Sequence, residues 1–143
     1  MYLKHSDLFS GMNMDLIRWI MEIGVRESYD QGQILFNGGD YPDRFYLLIK
    51  GSIQLKLEET AEQVYLGNTP GELIGWSALV DRSSFTTSAE CLEHTDVLKI
   101  DRERFLQFLN QDPGVASLFY KNLSRALGHR LMQVYDTITL PEE

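Results

Sequence analysis

The sequence predicts an α+β protein, in which a β-roll of the double-stranded β-helix (jelly-roll-like) type lies between a short N-terminal helix and a long C-terminal helix. Apolar residues recur at helical spacing near the N-terminus, short alternating runs split by glycine turns occupy about residues 28–100, and an apolar stripe follows Pro113. With 143 residues and 43% hydrophobic residues, the chain suits one domain, residues 1–143, with C-terminal helices at about 101–139.

The N-terminal helix is predicted by its ends and its spacing. Asn13 is a favourable N-cap, Asp15 suits the first turn, and Gly24 is a natural stop. Between them, apolar residues recur on one face: Leu16, Ile17, Ile20 and Ile23. This amphipathic helix must pack on the rest of the domain.

Alternating apolar residues predict the strands of the roll. Ser52–Glu58 is the clearest, with Ile53, Leu55 and Leu57 on one face. The other predicted strand segments are Ile34 with Phe36, the apolar run at 45–49, the run at 64–66, the alternation of Phe85, Thr87, Ala89 and Cys91, and the run at 97–100.

Two helices are predicted after the roll. Asp101 caps the first, whose stripe is Phe105, Leu106, Phe108 and Leu109. Asp112 and Pro113 begin the second, with Asp at the N-cap and Pro at the first helical position. Its apolar stripe continues to Pro141, which is longer than one isolated domain needs, so part of it suits a partner's copy.

The stretch from Pro70 to Cys91 is the first place to look for a ligand. Pro70-Gly71 is a turn signal, Gly75 permits close backbone approach, and the apolar residues after it suit the start of a short helix. Free N–H groups at a helix start form an anion site. The sequence therefore predicts a candidate anion-binding loop here.

Composition argues against several classes of function. The net charge of −8 and the pI of about 4.8 disfavour a nucleic-acid surface. Without a signal peptide or a run long enough to span a membrane, the expectation is a soluble cytoplasmic protein. The single cysteine, Cys91, excludes an internal disulfide and continues the alternation of its strand, so it is expected to be a buried structural thiol.

No catalytic constellation emerges from the sequence. The three histidines, His5, His94 and His129, are too widely separated for the metal site of a cupin, an enzyme built on a similar roll. Nucleophile elbows, P-loops and dinucleotide fingerprints do not occur. We therefore expect no enzyme activity and no metal.

The ordered series of glycines and apolar runs resembles the cyclic nucleotide-binding domain family, and in particular the catabolite activator protein-like effector domain. The segment 39–51 is similar to the family's Gly-Asp-x-x-Asp-x-(Phe/Leu)-Tyr signature, and Gly32, Ile34 and Phe36 match the pattern before it. In the phosphate-binding cassette, Gly75, Ala78 and Leu79 match. The resemblance covers roughly residues 6–135 and implies a β-roll that binds a cyclic nucleotide.

Two functional positions depart from the family pattern. Trp76 stands where the family has the Glu that accepts from the ribose, and Phe85 stands where it has the Arg that pairs with the cyclic phosphate. Losing both contacts would cost about 3–6 kcal/mol, or two to four decades in affinity. Arg82 is a candidate substitute for the missing Arg. The resemblance thus leaves cyclic AMP or cyclic GMP possible only in an altered mode.

The resemblance also implies roles for the C-terminal helix, which in the family covers the pocket and forms a dimer interface. It places Arg130 and Leu131 near the positions from which this helix contacts the base. Transcription factors of the family carry a helix-turn-helix domain, for which this chain leaves no room, so we expect no direct DNA binding and a protein partner downstream.

Two hypotheses follow. In the first, a small ligand, either a cyclic nucleotide in an altered mode or a more apolar anion or aromatic molecule, shifts the C-terminal helix of a stand-alone regulatory domain. In the second, Trp76 and Phe85 fill the old pocket and the domain is a ligand-free dimerisation or docking module. The candidate ligand-binding residues are Gly71, Gly75, Trp76, Ser77, Ala78, Arg82, Phe85, Thr86, Thr87 and Arg130.

Overall fold

A computed structural model of the chain describes residues 6–138. His5 and the predicted stop at Pro141 lie outside the described residues. These residues form 3₁₀ turns at Asp7–Phe9 and Trp76–Ala78, three α-helices and eight strands, with the following bounds: α1 Met14–Ile23, β1 Val25–Tyr29, β2 Ile34–Phe36, β3 Arg44–Lys50, β4 Ile53–Lys56, β5 Gln63–Gly67, β6 Leu73–Ile74, β7 Ser88–Cys91, β8 Thr95–Asp101, α2 Arg102–Gln111 and α3 Pro113–Asp136.

The strands form two four-stranded antiparallel sheets, with strand orders β1-β8-β3-β6 and β2-β7-β4-β5. The predicted fold class is confirmed: a roll of two sheets with a short N-terminal helix and a long C-terminal helix. The roll brings the edge strands β5 and β6 of the two sheets together, because a Cβ built at Gly67 of β5 would lie 2.9 Å from Cδ1 of Ile74 in β6.

The alternation of side chains along β3 divides the core into two parts. Phe45 and Leu47 pack in a cluster beneath the helices, whereas Tyr46 and Leu48 pack in a cluster between the two sheets. Because β3 is buried on both faces, it appears in the sequence as a continuous apolar run. We call these clusters the helix-side core and the inter-sheet core.

The predicted helix ends are observed. The side chains of Asn13, Asp101 and Asp112 each accept a hydrogen bond from the third backbone N–H that follows, at 2.9, 3.0 and 3.2 Å. Gly24 follows α1 with an ordinary φ of −76°. A Cβ at Gly24 would lie 2.5 Å from Cγ of Leu98, so close packing on β8 requires glycine there.

Three strand predictions need correction. Ile34 is exposed rather than inward-facing, because a bulge shifts the register of β2 against β7 between Ile34 and Phe36. The strand predicted at Ser52–Glu58 is shorter than expected: β4 ends at Lys56, and Leu57 beyond it is exposed. Phe85 and Thr87 precede β7, because the backbone of Phe85 bonds instead to Gly39 and Asp40 in the β2–β3 loop, at 2.9 Å each.

The N-terminal segment anchors the first half of α3. The side-chain amide of Asn122 donates to the carbonyls of Leu8 and Ser10, at 3.2 and 2.8 Å. Phe119 and Leu123 are buried beside it, whereas α3 beyond Leu123 has no fully buried residue. The second half of the helix therefore rests on the roll through fewer contacts.

Candidate functional site

The cassette predicted from the sequence begins at the edge of the first sheet. Leu73 and Ile74 pair with Leu47 and Tyr46 of β3, and a single 3₁₀ turn follows at Trp76–Ala78. Gly75 joins the two in the left-handed region, at φ 93°, which favours glycine. The predicted helix start is thus one short turn, without the aligned peptide dipoles of a longer helix.

Phe85 occupies the interior of the roll. Its side chain is 2% exposed and stacks on Phe36, with ring centroids 3.8 Å apart and an interplanar angle of 14°. A Cβ built at Gly75 would lie 3.3 Å from the Phe85 ring. An aromatic side chain therefore packs directly against the cassette glycine.

Trp76 does not share this position. It is half-buried and packs against the helix-side core, whereas Phe85 belongs to the inter-sheet core. Of the two aromatic residues that replace charged residues of the family pattern, only Phe85 is placed to fill the roll.

The other candidate ligand-binding residues of the cassette differ in how deeply they are buried. Ser77 and Ala78 are buried, Thr87 is half-buried, and Arg82 and Thr86 are exposed. Arg44, which the sequence did not suggest, has its guanidinium carbon 5.5 Å from the Phe85 ring centroid. That guanidinium already donates to the Tyr46 hydroxyl and the Leu35 carbonyl, at 2.9 and 3.0 Å.

A cavity of about 210 Å³ lies elsewhere, between α3, the β5–β6 turn and the N-terminal segment. We call it the helix cleft. Of the ten candidate ligand residues, Gly71 and Arg130 line it and the other eight do not. Its lining residues are Ser6, Asp7, Leu8, Tyr65, Thr69, Pro70, Gly71, Glu72, Leu73, Ala126, His129, Arg130 and Gln133.

Arg130 joins the second half of α3 to the roll. Its Nη2 donates to the carbonyl of Leu73 at 2.6 Å and lies 3.6 Å from Oε1 of Glu72. Its guanidinium carbon lies 4.2 Å from the centroid of the Tyr65 ring, within cation–π range. Nη1 is buried and has no hydrogen-bond partner among the described residues.

Glu72 is held mainly by the roll itself. Its carboxylate accepts from the Tyr65 hydroxyl through Oε1, and from the backbone N–H groups of Asn68 and Thr69 through Oε2, at 3.1 and 3.2 Å. Burial, together with the hydrogen bond to Glu72, raises the pKa of Tyr65 to about 12. The phenol is therefore a neutral donor at physiological pH.

Sequence reasoning missed Tyr65, Glu72 and most of the cleft. In the sequence, Tyr65 is one residue of the apolar run at 64–66, and Glu72 is one polar residue after the Pro70-Gly71 turn signal. No spacing signal joins them to Arg130, because they are 65 and 58 residues away along the chain. The sequence offers one signal for this cluster: Arg130 is a charged residue on the apolar face of an amphipathic helix.

Cys91, predicted to be a structural thiol, is buried in the inter-sheet core, and burial raises its pKa. Across residues 6–138, no three or more His, Cys, Asp or Glu side chains come together as a metal site. Within the same residues, no helix is both long and apolar enough to cross a membrane.

These features define a class: an eight-stranded β-roll covered by helices, with a glycine cassette at its edge and a C-terminal helix beside a cleft. The chain belongs to the cyclic nucleotide-binding domain family, whose pattern it matches over residues 26–112, more than half of its length.

Two curated relatives are regulators by name. The cyclic AMP receptor protein of Thermus thermophilus is 31% identical over 135 residues, which are 92% of this chain and 60% of that protein. The transcriptional activator protein Anr of Pseudomonas protegens is 30% identical over 117 residues, which are 80% of this chain and 47% of that protein. The chain thus spans only about half of the length of these relatives.

Solved structures share the fold. The crystal structure of the Thermus thermophilus catabolite activator protein superposes with a TM-score of 0.74 at 28% identity, covering 90% of this chain and 59% of that one. A cyclic nucleotide-binding domain from Methylobacillus flagellatus gives a TM-score of 0.83 at 20% identity, covering 99% and 82% of the two chains.

Proposed function

We propose that this chain is a non-enzymatic regulatory domain that senses a small ligand and relays its binding through α3. The observation that carries the proposal is the contact of Arg130 with the Leu73 carbonyl and Glu72, beside a cleft large enough for a small molecule. A ligand in that cleft would touch both the roll and α3. Its binding energy would therefore depend on where α3 lies.

The ligand proposed here is not a cyclic nucleotide bound in the family's usual mode. Phe85 supplies no cation for a phosphate, and its ring packs in the inter-sheet core beside Gly75. An enclosed phosphate without a cation would carry a large desolvation penalty in addition to the lost contacts.

The relay surface proposed is the exposed apolar stripe on the second half of α3. It consists of Leu131, Met132 and Tyr135 and continues to Ile138, just beyond the end of the helix, and each of the four is about half exposed or more. A second copy of the helix could cover this stripe, giving a homodimer whose geometry changes with the angle of α3. The net charge of −8 leads us to propose no nucleic-acid contact for this domain.

A second candidate function, a ligand-free dimerisation or docking module, is favoured by the stack of Phe36 on Phe85. In that case the cassette would be a structural corner, and α3 would pack on its partner without regulation by a small molecule.

The experiment that separates these functions is a thermal-shift titration of the full chain, followed by amide hydrogen exchange. The panel contains cyclic AMP, cyclic GMP, inorganic phosphate, benzoate, indole and benzyl alcohol. A ligand at 100 times its Kd adds about 2.7 kcal/mol, which is several degrees in Tm.

We expect no saturable shift with either cyclic nucleotide at millimolar concentration, and a saturable shift with another member of the panel. That ligand should change exchange protection in residues 126–136. Binding without any change in α3 would overturn the relay, and no binding by any member would favour the ligand-free module. A saturable shift with cyclic AMP or cyclic GMP would contradict our inference that Phe85, packed beside Gly75, prevents cyclic nucleotide binding at the cassette.

A further inference from the structure

The helix cleft differs from the other large cavity in one respect that points to a ligand. The other cavity, of about 420 Å³, lies along residues 6–17 and is lined by no cationic side chain. The helix cleft is lined by Arg130, whose side chain is only 13% exposed. A nearly buried guanidinium at the wall of a cavity requires acceptors, and those present are incomplete.

Arg130 has donor capacity that the protein does not use. Across residues 6–138, Nη2 alone of its nitrogens has a hydrogen bond, to Leu73, and the 3.6 Å separation of Nη2 from Glu72 is longer than a hydrogen bond. Nη1 has none among the described residues. A carboxylate is the acceptor best matched to two parallel N–H groups of one guanidinium, because both oxygens can be engaged at once.

Glu72 does not occupy that role, and it does not depend on Arg130. Its two oxygens already accept from Tyr65, Asn68 and Thr69. If Arg130 turned its fork toward a ligand, Glu72 would keep these three hydrogen bonds. The exchange of partners would therefore leave no buried carboxylate unsatisfied.

The rest of the cleft restricts the size and character of the ligand. Leu8, Leu73, Ala126 and the ring of Tyr65 supply apolar surface. The volume of about 210 Å³ lies below the range of roughly 300–1,000 Å³ typical of drug-sized ligand pockets. A short or single-ring acid matches this combination of one cation and a small apolar wall.

We propose that the helix cleft binds a small organic acid, with its carboxylate paired to Arg130 and its apolar body against Leu8, Leu73 and Ala126. This rests on the proposed sensing function and names the ligand class. Because Nη1 is buried, the guanidinium must turn to receive the acid, which disturbs its hydrogen bond to the Leu73 carbonyl. Ligand binding and the position of α3 are thereby coupled through one side chain.

Two carboxylates line the same cleft and limit the affinity. Glu72 shares the charge of Arg130, and Asp7 is exposed at the rim. An acid therefore enters a site with little net positive charge, and we expect a Kd on the order of 1 mM for a simple probe such as benzoate.

The test is a benzoate titration of the full chain followed by two-dimensional ¹⁵N–¹H NMR. The expected result is saturable shifts in residues 69–73 and 126–133, with benzyl alcohol, the neutral analogue, binding at least tenfold more weakly. Arg130→Gln should weaken benzoate binding at least tenfold. Arg130→Lys keeps the charge but not the paired N–H groups, so its Kd for benzoate should lie between those of the unmodified chain and Arg130→Gln.

Arg125→Gln is the matched control, since Arg125 lies exposed on the same helix and should change the Kd less than twofold. Because Arg130→Gln removes a contact between α3 and the roll, the location of the shifts in the unmodified chain provides a test that does not depend on the stability of the variant. Equal binding by the Gln variant, equal binding of benzyl alcohol, shifts centred on Phe85, or a loss of binding in Arg82→Gln instead would overturn the proposal. If another member of the panel binds and benzoate does not, the proposal of an organic acid is overturned, whereas the proposed regulatory function is not.

Discussion

Phe85, which the family resemblance aligns with the Arg that pairs with a cyclic phosphate, is part of the inter-sheet core. Its ring is buried between Phe36 and the backbone at Gly75. A side chain in that environment contributes to folding through burial and dispersion. The residue that departs from the family's ligand chemistry is therefore also a residue on which the stability of this roll depends.

Phe85→Ala should lower the free energy of unfolding by about 3–5 kcal/mol, because it removes buried apolar area and leaves a cavity beside Phe36. Denaturant unfolding measures this loss. Thr86→Ala, at the exposed neighbouring position, should stay within about 0.5 kcal/mol. Similar small losses in both variants would show that Phe85 is not packed as described.

Tyr65 gives the roll a dependence on alkaline pH. Burial and the hydrogen bond to Glu72 raise its pKa from 10.0 to about 12 in the folded protein. The folded state therefore holds the phenol proton more tightly than the unfolded chain does. Its stabilisation is complete below about pH 10 and is lost as the pH rises through about 12.

Tyr65→Phe should consequently flatten the decline of Tm between pH 10 and 12, by the equivalent of less than about 2.7 kcal/mol, because the partial exposure of Tyr65 weakens the effect. Tyr29, whose pKa burial also raises, is present in both proteins, so its contribution cancels in the comparison. Tyr41→Phe, at an exposed position away from α3, is the control and should keep the steeper decline. Parallel profiles for the Tyr65 variant and the unmodified chain would contradict this assignment.

At the scale of the element, local sequence determined where the helices begin, whereas close packing determined where α1 ends. Asn13, Asp101 and Asp112 cap the three helices through hydrogen bonds between near neighbours. Gly24, by contrast, has an ordinary φ and is required by the side chain of Leu98, which is 74 residues away in the chain.

Substituting alanine at two glycines should accordingly have opposite effects. Gly24→Ala places a Cβ 2.5 Å from the buried Leu98 side chain and should cost about 1–3 kcal/mol. Gly128→Ala, in α3, meets nothing within 4 Å and should gain about 0.5–1 kcal/mol from helix propensity. Thermal unfolding at low protein concentration measures both. A gain in stability for Gly24→Ala would contradict the packing of α1 on β8, and a loss for Gly128→Ala would contradict the open position of Gly128.

The strands were harder to place from sequence than the helices. The bulge in β2 and the early end of β4 both depend on partner strands that local alternation does not reveal. Phe85 lies outside any strand but still points inward, because its backbone forms hydrogen bonds with the β2–β3 loop. The alternation from Phe85 to Cys91 therefore predicted the burial of Phe85 correctly for the wrong reason.

At the scale of the whole molecule, α3 has two halves with different roles. Its first half is fastened by Phe119, Asn122 and Leu123, whereas its second half packs on the helix-side core through the partly buried Leu127 and contacts the roll through Arg130. Beyond that contact, exposed apolar residues follow one another along the second half and just past its end: Leu131, Met132, Tyr135 and Ile138. This arrangement suits a helix whose outer half moves and pairs with a partner.

A homodimer through this stripe should dissociate when Leu131 becomes charged. We expect the unmodified chain to be dimeric in light scattering after size exclusion, and Leu131→Glu to be monomeric with its Tm reduced, because a buried unpaired carboxylate would oppose association. Val25→Glu, at an exposed apolar position on β1, should leave the mass unchanged. A monomeric unmodified chain at 100 μM would argue against this interface.

Taken by itself, the sequence determined the fold class, the helix starts and the two departures at Trp76 and Phe85, because capping, periodicity and residue identity are local properties. Only the tertiary structure decided that Phe85 lies between the sheets while Trp76 lies beneath the helices. Only it brought Tyr65, Glu72 and Arg130 into one cluster. Contacts between residues so far apart in the chain arise when the roll closes and α3 packs across it, and no local pattern encodes them.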